Sequence, residues 1–324
     1  MSYHIVSIDS PSCALSCRDG QLTCRTEEGE RSLPLEDVAA IIITSFSASI
    51  HSKLFLEAAK QGVALIICEA FKPVSLVLPA NRSTDTLLTR AVLELEPRVR
   101  EALWRRTVDA KCQNQALLAE HILPGDPALD ALRRTAAGRL EAKEATCAKL
   151  FWNVFGRGLG DAAFRREHSA EQGINALLNY GYAVLLSTIL QKLFAVGLDP
   201  TWGLSHAPRE RATPLAYDLM EPFRPCVDWR VWQWTRRNPG QCDWQVDKAF
   251  RAWVTGFVLE RVDHLELTLE VRGVIEGVVR GFRRAAMENA VRPYRPWTPK
   301  PGQWPVPETR GPGAIQDGVA AGGV

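Results

Sequence analysis

The hydropathy pattern changes period once, near residue 86, and that change decides what the chain can fold into. Before it, short β-branched runs are separated by turn residues. After it, apolar residues recur at helical spacing as far as Val291. Strands are expected over Tyr3–Ile8, Cys13–Cys17, Leu22–Arg25, Val38–Thr44 and Val63–Cys68, with Asp19-Gly20 as a hairpin turn. One helix is expected between the last two strands. Ile50, Leu54 and Ala58 recur at its spacing, Ser47 or Ser49 can cap its start, and Gly62 can end it. The polar stretch Pro79–Thr86 suits neither period and reads as a linker. Helices are then expected over Leu87–His121 (one or two), Ala128–Ala137, Arg139–Phe155, Ala170–Val196, Cys226–Trp234, Trp244–Asp263 and Leu267–Val291, with no strand-like alternation among them. The expected fold class is α+β in two domains: a small β-rich N-terminal domain over 1–80, a linker over 81–90 and an all-α domain over 91–292. The Pro/Gly-rich stretch over 293–324 is expected to be a mobile tail, because it offers little apolar surface to bury.

Composition narrows the function classes. With 46% hydrophobic and 23% charged residues, the chain reads as an ordinary soluble protein. The apolar runs Ile41–Ile43 and Val63–Cys68 are far shorter than the roughly 20 residues of a membrane span, and the N-terminus shows no signal pattern. No membrane partner is expected. Scattered cysteines fit reduced thiols in a cytoplasm, and Cys13, Cys17 and Cys24 lack a fourth ligand at zinc spacing. Net charge is only +2, but Arg280, Arg283, Arg284, Arg292 and Arg295 face one acid, Glu288. Such a patch can neutralise phosphates or serve as a solvated helix face. There is no Walker-type loop, and Gly156–Gly160 follows a helix rather than a strand, against a dinucleotide site.

Two segments can carry chemistry. On the helix Arg139–Phe155, Leu140, Cys147, Phe151 and Val154 form an apolar stripe, with Glu144 inside it and Glu141 at its edge. A carboxylate facing a core needs a cation, either a metal or a neighbour such as Lys143 or Lys149. The segment Trp202–Asp228 is rich in turn residues and holds His206, Asp218 and Glu221. The i,i+3 acids can point one way, which suits a hard divalent cation with imidazole as a further donor, or Asp218 can begin a capping box. Pro222 and Pro225 make an ordinary helix start at Glu221 a poor fit.

Together these motifs resemble the CRISPR adaptation integrases, the catalytic subunits of the spacer-acquisition complex. Glu144–Trp152 with Phe155-Gly156 resembles the first acidic motif of that family, and Asn175–Tyr182 its helical core. Gly197–Pro200 through Gly203 and His206 resembles the histidine motif. Tyr217–Pro225 with Asp228 is similar to the second acidic motif, and Lys111–Ala116 to an upstream helical signature. The resemblance covers about residues 1–292, in wording nearest a type II-like branch, with Ala145 in place of a frequent glycine and the Pro/Gly tail as departures.

The resemblance implies a metal-dependent DNA integrase and endonuclease that joins a captured DNA 3′-OH to a repeat phosphodiester. The implied metal ligands are Glu144, His206 and Glu221 for Mg²⁺ or Mn²⁺, with Asp218 as a possible additional acid. The implied partners are double-stranded DNA, a second copy of the chain and a small ferredoxin-fold subunit. Lys111, Arg165, Arg166, Arg224, Arg280, Arg283 and Arg284 are candidate phosphate contacts. Two rivals stay open from the residues alone: a small-nucleotide phosphohydrolase, and a non-catalytic DNA-binding scaffold of the same fold.

Overall fold

Runs rich in isoleucine and valine form the central strands of the first part. β1 (His4–Ile8), β2 (Ala14–Arg18), β3 (Gln21–Thr26), β4 (Gly29–Pro34), β5 (Val38–Ile43) and the two-residue β6 (Ser49–Ile50) precede α1 (Ser52–Gln61). β7 (Ala64–Glu69) and β8 (Lys72–Val77) follow it. The computed structural model describes residues 4–10, 12–45, 47–69, 72–77, 86–138, 142–206 and 213–304. One sheet has the order β1-β5-β7-β8, parallel except for β8 at its edge, and the other has the order β4-β3-β2-β6. Asp19 and Gly20, both at positive φ (50° and 75°), close the β2–β3 hairpin as their sequence requires. Gly62 ends α1 at φ 71°, but His51 caps its start, its Nδ1 accepting from the Lys53 amide; Ser49 is spent in β6.

β5 is buried on both faces, which is why its sequence is a continuous apolar run. Ile41 and Ile43 pack with Leu15, Leu22 and Leu54 of the β-rich part, while Ile42 joins the core of the helices.

The second part comprises α2 (Thr86–Leu93), α3 (Pro97–Ile122), α4 (Leu129–Ala137), α5 (Lys143–Gly158), α6 (Gly173–Ala195) and α7 (Pro214–Met220). A 3₁₀ turn at Glu221–Phe223 leads into α8 (Arg224–Arg237) and α9 (Lys248–Thr255). β9 (Arg261–His264), β10 (Leu267–Glu270) and α10 (Val271–Glu288) complete it. α6 is long and apolar enough to cross a membrane, yet 83% of its most apolar window is buried inside the fold. It packs on β5 and β7 as well as on α7, α8, α9 and α10, so an apolar surface all round is what its place demands.

Three expectations are corrected. The helical series is interrupted by the antiparallel hairpin β9–β10, whose turn residues Leu265 and Glu266 adopt positive φ (49° and 67°) without glycine or asparagine to signal it. The linker placed over 81–90 is helical from Thr86 onward, because Leu88 and Val92 are buried in the core; its earlier residues lie outside the described residues. The segment expected to be a mobile tail is packed as far as Trp304. Tyr294, Trp297 and Trp304 are buried, and the aromatic anchors outweigh the Pro/Gly composition. Residues 305–324 lie outside the described residues.

Candidate functional site

α3 supplies the floor of the site. Trp104, Thr107, Lys111 and Asn114 recur at i,i+3 and i,i+4 spacing and so share one face of the helix. α5 packs against α3 and presents Glu144 from its first turn. Glu141 and Leu140 lie outside the described residues. Pro222 has no amide to continue an α-helix, so the chain tightens into the 3₁₀ turn that begins at Glu221.

These elements converge on one ammonium. Lys111 Nζ lies 2.6 Å from Glu144 Oε1 and 2.5 Å from Glu221 Oε2. Arg224 Nε donates to the other oxygen of Glu221 at 2.8 Å. Burial pushes the Glu221 carboxyl up, but the charges of Arg224 and Lys111 outweigh it and hold the group at about 2. Burial pushes Lys111 down, and Glu221 with Glu144 more than offset this, so its net shift is upward. The carboxylates at Glu144 and Glu221 are thus brought together, by a cation from α3 rather than by Lys143 or Lys149. Lys143 pairs instead with Asp109 at 2.5 Å.

Asp218, the possible additional acid, is engaged with the loop that carries His206. It is fully buried, and its carboxylate accepts from the amides of Leu204 (2.5 Å), Ser205 (3.1 Å) and His206 (3.4 Å). It also lies 2.6 Å from His206 Nδ1. This shapes the loop and favours the tautomer with the proton on Nδ1, leaving the lone pair on Nε2. A side chain on Gly203 would put a Cβ 2.6 Å from Asp218 Oδ2, so the loop needs glycine there. Arg100 donates to Gly203 O at 2.9 Å and ties the loop to α3. The His206 ring sits edge-on to Trp104, centroids 6.0 Å apart, over the same face of α3 that carries Lys111. Among the described residues no three His, Cys, Asp or Glu side chains stand gathered as a finished metal cage. The structure brings Glu144 and Glu221 together on Lys111 and places His206 on the loop that Asp218 and Arg100 hold to α3.

The basic residues divide. Lys111 and Arg224 belong to the carboxylate cluster itself. Arg166 is inside, over the rings of Trp152 and Tyr182 at 5.9 and 5.3 Å, and donates to Asn175 and Asn179. Arg165 donates to Phe164 O. Arg280 and Arg284 are exposed and paired with Glu276 and Glu288 along α10, while Arg283 donates to Val196 O. The α10 arginines so placed resemble a solvated helix face more than a bare cationic patch.

Sequence reasoning missed a second buried pair behind Arg224. Tyr182 donates its hydroxyl to Asp228 Oδ1, and the Arg224 guanidinium lies 4.7 Å from the Tyr182 ring centroid. Burial pushes the Asp228 carboxyl up, against the Tyr182 hydrogen bond and the charges of Arg166 and Arg224, and leaves it at about 7. The ordinary value is 3.8, so between 3.8 and about 7 the folded chain keeps a proton that the unfolded chain has lost. That contribution to stability is full below this window and falls as pH rises through it, by on the order of 4 kcal/mol. Asp228→Asn is expected to flatten the slope. The check is the denaturant midpoint from pH 5 to 8, and equal slopes in both chains would refute the assignment.

A sequence model of the family described as CRISPR associated protein Cas1 matches residues 6–250. The chain is 31% identical over 223 residues to the CRISPR-associated endonuclease Cas1 of Neisseria meningitidis serogroup C (strain 8013), covering 67% of this chain and 71% of that protein. It is 26% identical to the CRISPR-associated endonuclease Cas1 of Korarchaeum cryptofilum (strain OPF8), over 91% of this chain and 98% of that protein. In fold it is similar to a CAS1 protein from Thermotoga maritima, with TM-score 0.71 and 16% identity over 88% of this chain and 97% of that one. It is also similar to a casposase bound to integration product, with TM-score 0.67 and 20% identity over 89% and 91%. A chain of a Cas6-RT-Cas1–Cas2 complex matches at TM-score 0.72 and 14% identity, over 91% of this chain and 36% of that one.

Proposed function

This chain belongs to the CRISPR associated protein Cas1 family, and on that footing we propose that it is a divalent-metal-dependent DNA integrase and endonuclease. The observation that carries the reading is the pair Glu144 and Glu221 held across one ammonium of α3, the helix whose Trp104 also packs against a histidine oriented by Asp218. Relatives named as endonucleases, and the likeness to a casposase bound to integration product, support DNA as the substrate.

The donor set fits Mg²⁺ or Mn²⁺. Two carboxylates supply hard oxygens, and an imidazole with its Nδ1 engaged by a carboxylate is the usual form of a ligating histidine. Glu144, Glu221 and His206 Nε2 would hold the ion, which supplies a Lewis acid that neutralises phosphoryl charge and lowers the pKa of the attacking hydroxyl. Arg224 keeps Glu221 ionised, so the acid is ready to bind a cation at any ordinary pH. Lys111 now supplies the positive charge between the two carboxylates, and an ion held there would take over that role. The attacking group is the 3′-OH of a captured DNA fragment, and the bond exchange at the repeat phosphodiester is a transesterification. With water in place of the 3′-OH, the same geometry hydrolyses DNA. The assembly is a homodimer acting in the cytoplasm with a small ferredoxin-fold subunit; one structural neighbour is part of a complex whose name includes Cas2. Arg280, Arg283 and Arg284 would meet DNA by exchanging their present intramolecular partners for phosphates.

The test is to incubate the chain with a short duplex, a repeat-bearing plasmid and Mn²⁺, with and without the small subunit. Joined products that vanish in EDTA are expected. Neither joining nor cleavage under any of these conditions would overturn the reading.

A further inference from the structure

The chain from Val291 to Trp304 passes beneath the 3₁₀ turn that carries Glu221, and we propose that it is a strap that positions this acid, with Trp297 and Asn114 as the positioning residues. The inference rests on the reading of Glu221 as a site acid.

The strap is tied along its length. Asn289, at φ 44°, turns the chain out of α10, and its side chain exchanges hydrogen bonds with the Glu96 amide (3.1 Å) and carboxylate (2.9 Å). Pro293, Pro296, Pro299 and Pro301 deny this stretch the amides of a helix, so it is held through its carbonyls and side chains. Arg106 donates to Val291 O at 2.9 Å and to Tyr294 O at 2.8 Å. The Tyr294 hydroxyl lies 2.8 Å from Thr107 Oγ1, one turn of α3 before Lys111. Gly281 of α10 makes room for the crossing, since a Cβ there would stand 2.8 Å from Pro293 O.

At Glu221 the strap and α3 hold the turn together. The Asn114 amide nitrogen donates to Trp297 O at 3.0 Å and to Pro222 O, the next carbonyl after Glu221, at 2.8 Å. The Trp297 ring lies parallel to Phe223, centroids 5.8 Å apart and planes 6° apart. The Trp297 indole N–H donates to Asp263 O at 3.0 Å, and Trp304 packs edge-on against the same indole at 4.9 Å. Both residues that follow Glu221 are therefore fixed by one tryptophan and one asparagine. A three-residue turn with a proline inside it has few backbone bonds of its own, so the position of its acid is set by what packs beneath it. The strap thereby controls where the Glu221 oxygens point relative to Glu144.

Full-length wild type, Trp297→Ala, Trp297→Phe and Asn114→Ala separate positioning from mere stability. The readouts are thermal midpoint, Mn²⁺ affinity by titration calorimetry without DNA, and the Mn²⁺ dependence of DNA joining. Trp297→Ala and Asn114→Ala are expected to remain folded and to bind Mn²⁺ about 10- to 100-fold more weakly, as for loss of a residue that orients a ligand. Trp297→Phe keeps a ring against Phe223 and is expected to recover most of that affinity. Folded Trp297→Ala and Asn114→Ala chains with wild-type Mn²⁺ affinity overturn the strap proposal, even if their thermal midpoints fall. A wild type that neither binds Mn²⁺ nor joins DNA overturns the reading of the site itself.

Discussion

Glu221→Gln is expected to stop DNA joining and to weaken the fold at the same time. The amide keeps the shape of the side chain but removes the charge that holds Lys111 and Arg224 in the interior. With Glu221 as a ligand of the proposed ion, its loss would remove about 4 kcal/mol of transition-state stabilisation, or about a thousandfold in rate. Leaving two mostly enclosed cations with less counter-charge costs about 3 kcal/mol of stability. The pH dependence gives the sign. The Glu221 carboxyl is held at about 2 against an ordinary 4.5, so its contribution is present above 4.5 and is lost as pH falls toward 2. The stability gap between wild type and variant should therefore shrink in acid. Joining rates in Mn²⁺ and denaturant midpoints from pH 3 to 7 check both halves. A variant joining DNA within threefold of wild type removes Glu221 from the site.

Lys111→Met is expected to move stability and metal binding in opposite directions. Lys111 is the cation common to Glu144 and Glu221, and methionine fills its space without its charge. Without it the two carboxylates repel, but Glu144 is partly screened by solvent and Glu221 keeps Arg224, so the cost in metal-free buffer is about 1–3 kcal/mol. The same loss clears a positive charge from the path of an incoming ion, so Mn²⁺ should bind more tightly and restore more stability than it does in wild type. Unfolding in EDTA and in Mn²⁺ measures both. If Mn²⁺ binds Lys111→Met more weakly than wild type, Lys111 is a partner of the ion rather than its stand-in.

The parts of this structure that could be read from the chain are those whose cause is local. β5, β7 and α6 declare themselves because burial on every side requires unbroken apolar sequence, and Asp19-Gly20 because positive φ favours those residues. The two acids that meet on Lys111 are legible as carboxylates in awkward places: Glu144 in an apolar stripe and Glu221 beside prolines. What could not be read depends on distant partners. The pairing of Lys111 with Glu144, 33 residues away, depends on how α5 packs against α3. That Asp218 holds the loop carrying His206 depends on residues 12 to 14 positions earlier folding back onto both of its oxygens. The β9–β10 turn uses Leu265 and Glu266, residues that carry no turn signal. Trp297 was hidden by the prolines around it, since composition weighs a segment's average and not its anchors.

Ile42, lodged among the helices while its neighbours Ile41 and Ile43 face the other way, makes the change of period near residue 86 a seam in the text and not in the material. A cut at that seam would strip an oily strand face from one fragment and an oily helix face from the other. The two halves of this chain are therefore expected to melt as partners. A fault introduced among the first strands will be felt by the helices that hold Glu144 and Glu221.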